Sequence, residues 1–322
     1  MARHLTRTAG AILATALLVT ACGGTTADPD PAPPSATPSA SPSSTPSDGP
    51  SPTSDPSPVV LRADDEMAAL EETFDARLGV FALDTGTGTV LEHRADERFA
   101  YASTIKAPLA AVVLDQHTIG ELDGVVEYTE ADLVTYSPVT EEHVGTGLSV
   151  GELAAAAVQQ SDNGAANLLL DRVGGTSGLG EALRAAGDDV TQVDRTEPDL
   201  NEATPGDPRD TTTPRALATT LETFALGDGL PPEKQELLVG WLQGNTTGDD
   251  LVRAVVPEGW TVGDKTGSGG YGTRNDVAIV WPPDGDPLVI AIMTSRDTAD
   301  ATRDDALLAE AAAVVLDQLA GT

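Results

Sequence analysis

The chain has 322 residues, with 18 Lys and Arg against 51 Asp and Glu, a net charge of −33. Such acidity argues against a nucleic-acid binder, because phosphates need Lys and Arg to neutralise them, and a single cysteine excludes an intrachain disulfide. Apolar residues make up 40%, enough for a sizeable core, which excludes wholesale disorder.

Arg3 and Arg7 precede an apolar run from Ala9 to Val19. No apolar run reaches the ~20 residues of a bilayer span. This one has the flanks and length of a secretory signal, predicted over residues 1–21. It ends in Val19-Thr20-Ala21-Cys22, which resembles the lipobox of bacterial lipoproteins, where the cysteine is lipidated and becomes the new N-terminus. The alternative is an ordinary signal peptide with Cys22 incidental. Residues 22–58 then form a tether: positions 23–58 hold 11 of the 23 prolines, nine serines and no aromatic residue. Too little apolar surface is available there to offset ordering entropy, so the segment is expected to be extended and disordered. At ~3.1 Å per residue it reaches at most ~110 Å. The expectation is an exported protein on the outer face of the cytoplasmic membrane, or released from it. The tether has four Asp and the signal two Arg, so residues 59–322 keep a net −31.

Residues 59–322 read as one folded domain. Positions 64–77 have helical periodicity through Met67, Leu70 and Phe74. Val80–Leu83 and Val90-Leu91 flank Asp84-Thr85-Gly86-Thr87-Gly88, a hairpin signal. Helices are expected at 103–117, 149–159, 164–172, 177–186, 214–225 and 233–243. Ser149 with Glu152 is a capping box. Gly174-Gly175 and Gly187 are stop signals. Residues 188–213 read as a long loop, and loops of that length are usually functional or disordered. Strands follow at 261–265, 277–281 and 288–293, then a final helix at 301–319. Strands at both ends with helices between predict an α+β fold. One antiparallel sheet would be built from both termini and flanked by helices, with a helical subdomain inserted.

The chain has three lysines, so a lysine motif is hard to meet by accident. Ser103-Thr104-Ile105-Lys106 is S-x-x-K. At the start of a helix, Ser103 and Lys106 share a face, so the lysine can activate the hydroxyl as a nucleophile. Free N–H groups at the helix start suit a developing oxyanion. Taken alone, the motif reads as a capping serine and a surface lysine. Ser161-Asp162-Asn163 lies between two helices, and Lys265-Thr266-Gly267 ends a strand. Alone, each reads as a cap or a turn. In the order S-x-x-K, S-D-N, K-T-G they match the set of class A β-lactamases and penicillin-binding proteins.

The long loop separates the two. Its Glu197-Pro198-Asp199-Leu200-Asn201 resembles the E-x-x-L-N of the class A omega loop. Tyr136 lies in a segment that resembles the aromatic rim of the site entrance. Arg274 matches an arginine that helps bind the substrate carboxylate. The chain is thus identified as a member of the class A β-lactamases over about residues 64–320. It is similar to lipoprotein forms from high-GC Gram-positive bacteria.

The resemblance implies hydrolysis of β-lactam antibiotics through a serine acyl-enzyme, and with it resistance to them. Ser103 is then the nucleophile, and Lys106 or Glu197 takes its proton. Ser161 relays a proton to the leaving nitrogen, supported by Lys265. Asn163 binds the acylamino chain. Thr266, Gly267, Ser268, Lys265 and Arg274 bind the ring carboxylate end. Asn201 shares the hydrolytic water with Glu197, and Arg195 pairs with Asp210 across the loop neck. Two residues depart from common family choices: Ala102 before the nucleophile and Thr196 beside the loop glutamate. The four histidines, at 4, 93, 117 and 143, lack zinc-site spacing. No metal or other cofactor is implied. The expected partner is a small β-lactam, with no nucleic acid, a membrane only through Cys22, and a monomeric chain. The alternatives are a slowly deacylating D,D-peptidase and a tethered β-lactam sensor; Glu197 with Asn201 argues against both. Gly267-Ser-Gly-Gly-Tyr-Gly272 satisfies G-x-G-x-x-G, but sits between strands and so is not a dinucleotide site.

Overall fold

The computed structural model describes residues 59–321. The expected signal, Cys22 and the tether lie outside the described residues. Three strands come from the N-terminal part: β1 (Val60–Arg62), β2 (Arg77–Asp84) and β3 (Val90–His93). Two-residue strands follow: β4 (Phe99–Ala100), β5 (Val125–Val126), β6 (Leu148–Ser149) and β7 (Thr211–Thr212). Three long strands close the series: β8 (Thr261–Ser268), β9 (Arg274–Trp281) and β10 (Leu288–Ser295). The helices are α1 (Asp64–Phe74), α2 (Lys106–Gln116), α3 (Val150–Gln159), α4 (Asn163–Arg172), α5 (Gly175–Ala185), α6 (Pro214–Ala225), α7 (Pro232–Gln243) and α8 (Asp305–Ala320).

The main sheet has the order β1-β3-β2-β10-β9-β8, so strands from both ends of the domain meet at β2 and β10. The architecture is α+β, as expected. The antiparallel sheet built from both ends is present, and β1, a strand not expected from the sequence, adds a parallel pairing with β3 at one edge. The chain between them passes through α1 and β2, a crossover long enough to return it in the same direction.

Side chains alternate across this sheet with period two. On β10, Leu288, Ile290 and Ile292 pack with Met67 of α1 and with Leu307, Ala311 and Val315 of α8. Val289, Ala291 and Met293 join the opposite core, with Leu217 and Leu221 of α6. Helices cover both faces, which is why these strands read as unbroken apolar runs. Helix α2 is buried from Lys106 to Leu114. A helix buried all round forms the centre of the helical part, and Lys106 lies inside that centre.

Several boundaries differ from expectation. The first helix stops at Phe74 because Asp75 adopts a left-handed conformation, φ 46°, and β2 begins at Arg77. The helix expected from 103 opens as a 3-10 turn, Ala102–Ile105, before α2. Strand β8 continues past Lys265 to Ser268, because β9 pairs with it as far as Arg274. Helix α8 starts at Asp305, where Asp304 accepts a hydrogen bond from Ala306 N–H at 3.1 Å.

Candidate active site

Three pieces of chain meet at the free edge of β8: the 3-10 turn before α2, the start of α4, and the loop 188–213. Between them lies a cleft of about 320 Å³, lined among others by Ser103, Ser161, Asn163 and Ser268. In a 3-10 turn, residues i and i+3 eclipse. Lys106 Nζ therefore stands 3.0 Å from Ser103 Oγ, which it reaches as a hydrogen-bond donor. Ala102, just before the nucleophile candidate, has φ 49°, a conformation unusual for a residue with a Cβ. Gly267 lets β8 approach this turn. A Cβ there would lie 2.9 Å from Tyr101 O and 3.2 Å from Ser103 N.

Lys106 is fully buried and donates to Asn163 Oδ1 at 2.5 Å and to Ser161 O at 2.8 Å. Glu197 Oε1 lies 3.0 Å from its Nζ. Burial lowers the lysine's proton affinity, and the Glu197 carboxylate opposes that loss. Ser103 Oγ is also 3.1 Å from Glu197 Oε1. Glu197 thus accepts from the same hydroxyl to which Lys106 donates.

Lys265 approaches Ser161 from the other side, donating to its Oγ at 3.2 Å and to Thr266 O at 2.8 Å. It too is fully buried. Burial, then repulsion from Lys106, lowers it to about 7. Further along β8, Ser268 Oγ accepts from Arg274 Nη1 at 3.0 Å. Thr266 shares a 2.6 Å hydrogen bond with Thr247.

Asp162, between Ser161 and Asn163, is buried as the cap of α4. It accepts from Ala165 N–H at 2.8 Å, and from the N–H groups of Val139 and Thr140 at 2.8 Å each. That capping turn aims Ser161 and Asn163 into the cleft. Tyr136, 58% exposed, stands on the cleft rim.

The loop 188–213 is closed at its neck. Asp210, fully buried, takes Arg195 Nε at 2.5 Å and the N–H groups of Asp194 and Arg195 at 3.0 and 2.9 Å. The Tyr101 hydroxyl donates to it at 2.9 Å, and burial with that carboxylate holds the phenol protonated. Within the loop, Asn201 donates to Glu197 Oε2.

Every site residue expected within the described range is therefore gathered in or around one cleft. Sequence reasoning missed four that complete it. Asn167, one turn after Asn163 on α4, brackets the Glu197 backbone with two hydrogen bonds of 2.9 Å. Its helical spacing from Asn163 was the available signal. Thr247 braces Thr266, Asp305 holds Arg274 Nε at 2.6 Å, and Arg303 lines the cleft. Nothing local in the sequence marks these three.

The profile of the β-lactamase enzyme family matches residues 62–319. A β-lactamase of Bacillus licheniformis is 56% identical over 79% of this chain and 83% of its own length. One of Amycolatopsis lactamdurans is 54% identical over 82% and 86%. The crystal structure of a class A β-lactamase from Clostridium kluyveri superposes with a TM-score of 0.79 at 45% identity, covering 80% of this chain and 98% of that one. By the extent of these matches as well as by its cleft, the chain belongs to the β-lactamase enzyme family, in its class A serine branch.

Proposed function

We propose that β-lactam hydrolysis here runs through Ser103, with Glu197 as the base that distinguishes turnover from trapping. Ser103 Oγ attacks the lactam carbonyl. Glu197 takes its proton, because the Ser103 hydroxyl donates to Glu197 Oε1 at 3.1 Å whereas Lys106 donates to Ser103 Oγ. The backbone N–H groups of Ser103 and Ser268, brought close by Gly267, receive the oxyanion. The C–N bond breaks and Ser161, between Lys106 and Lys265, passes a proton to the nitrogen. Asn163 holds the acylamino chain, and Tyr136 flanks it at the rim. Thr266, Ser268, Lys265 and Arg274 hold the ring carboxylate. Glu197 then directs water at the ester. Asn201 is suited to share that water, because its Oδ1 is buried and has no hydrogen-bond partner among the described residues.

The observation that carries this reading is Glu197 itself: a buried carboxylate beside the nucleophile, with Asn201 on its other oxygen. A D,D-peptidase or a sensor needs no such group. Continuous hydrolysis of a chromogenic cephalosporin is the expected result, with no penicillin adduct on Ser103→Ala by mass spectrometry. A single burst without turnover, or an adduct on the variant, would refute it. We further propose export by the 1–21 signal, lipidation of Cys22, the 22–58 tether and a monomeric chain. Residues Arg3 to Val19, the junction at Cys22 and the proline-serine composition support the first three.

A further inference from the structure

Most cations at the cleft are already neutralised. Lys106 lies 3.0 Å from Glu197, and Arg274 lies 2.6 Å from Asp305. Lys265 is lowered to about 7. Arg303 differs. It lines the cleft with Arg274, on the loop just before α8, and is exposed. Residues 59–322 contain thirteen arginines, and eleven of them engage a carboxylate or a main-chain carbonyl. Arg303 has neither among the described residues; the other exception, Arg172 at the end of α4, does not line the cleft. The carboxylates beside Arg303 are committed elsewhere. Asp304 caps α8 and Asp305 holds Arg274. The base of its loop is tied to the β8–β9 turn, where Arg296 donates to Tyr271 O at 2.8 Å and to Gly272 O at 3.1 Å.

We propose that Arg303 is a specificity-determining cation of this cleft. It draws the ring-carboxylate end of a β-lactam toward Arg274 and favours substrates with a second anion on the same ring. This rests on the hydrolase reading above. A guanidinium keeps its charge at every relevant pH. The domain as a whole, at −31, repels anions, so an anionic substrate needs an uncompensated local field, and a cleft focuses one. Because Arg303 is exposed, its contribution is modest and screened by salt.

The test compares the full-length protein with Arg303→Gln and Arg303→Lys on two β-lactams. One carries only the ring carboxylate; the other adds a carboxylate on a substituent of that ring. At low salt, Arg303→Gln should raise KM about three- to fivefold for the first and about tenfold for the second, with kcat little changed. The gap should close at high salt, and Arg303→Lys should recover most of the loss. An unchanged KM for both compounds, or a loss equal for both and indifferent to salt, overturns the proposal. If wild-type protein turns over neither compound, the hydrolase reading fails instead. Rates of adduct formation in the same variants then still read the effect of Arg303.

Discussion

The charge on Glu197 helps keep a proton on Lys106, 3.0 Å away, against the pull of burial. Glu197→Gln removes that charge while keeping the shape, so Lys106 loses proton affinity and becomes able to accept from Ser103. Acylation should therefore survive in the variant. Deacylation should not, because Glu197 is the carboxylate that bonds both Asn201 and the Ser103 hydroxyl. Loss of a positioned general base costs ~10²–10⁴ in rate. A stable penicillin adduct should appear by mass spectrometry, where wild type shows one only fleetingly; wild-type turnover in the variant would remove Glu197 from the mechanism. Lys265 gives the second test at this scale. Burial lowers it to about 7, so its charge is present below that pH and lost above it. If that charge holds the substrate carboxylate, kcat/KM should decline as pH rises through about 7 in the free enzyme. Arginine stays charged, so Lys265→Arg should carry the basic limb to higher pH. Coincident profiles for the two proteins would separate this lysine from carboxylate binding.

The 188–213 loop depends on its neck. Asp210 is fully buried, and Arg195 is its cationic partner at 2.5 Å. Removing one partner of a buried pair strands the other charge, which costs ~3–5 kcal/mol. Arg195→Ala should show a loss of that order in urea unfolding. It should also slow both half-reactions, deacylation the more, since the loop carries Glu197, which serves both, and Asn201, which serves deacylation. Unchanged stability would mean that the Asp194 and Arg195 N–H groups and the Tyr101 hydroxyl satisfy Asp210 unaided. The strand pair β4–β7 supports the same neck: Phe99 pairs with Thr212 and Ala100 with Thr211. At this scale sequence was a good guide to element type and a weaker one to ends. Helix α1 stops at a left-handed Asp75, and β8 overruns its apolar stretch because a neighbouring strand continues beside it. Neither cause is local to the pattern being read.

For the whole molecule, the proposed attachment and the cleft fall in different parts of the sequence. The proposed anchor is Cys22, and the described domain begins at residue 59. Cys22→Ala should release the protein from the membrane fraction, or block its processing, without changing kcat on soluble substrate. A single acyl chain binds a membrane only marginally, so stable retention requires more than one. Fractionation with N-terminal mass analysis checks this. Unchanged association and an unchanged N-terminus would leave an ordinary signal peptide as the reading.

What the sequence determined by itself was chemistry carried within single elements. Ser103 and Lys106 are three residues apart, Ser161 and Asn163 flank one cap, and Lys265 to Ser268 lie on one strand. Spacing alone decides which side chains such residues can present together. The short apolar runs and the order of strands and helices likewise predicted the α+β class. Tertiary structure decided what lies across elements. It placed Glu197 beside Lys106, set Asn167 against the Glu197 backbone, paired Arg274 with Asp305, and left Arg303 without a counter-ion among the described residues. These depend on where distant stretches pack. A contact between residues thirty or ninety positions apart leaves no periodicity for a sequence to display. The same reason hid the parallel edge pairing of β1 with β3, which arises from a crossover through α1 and β2 rather than from any preference of Val60, Leu61 or Arg62.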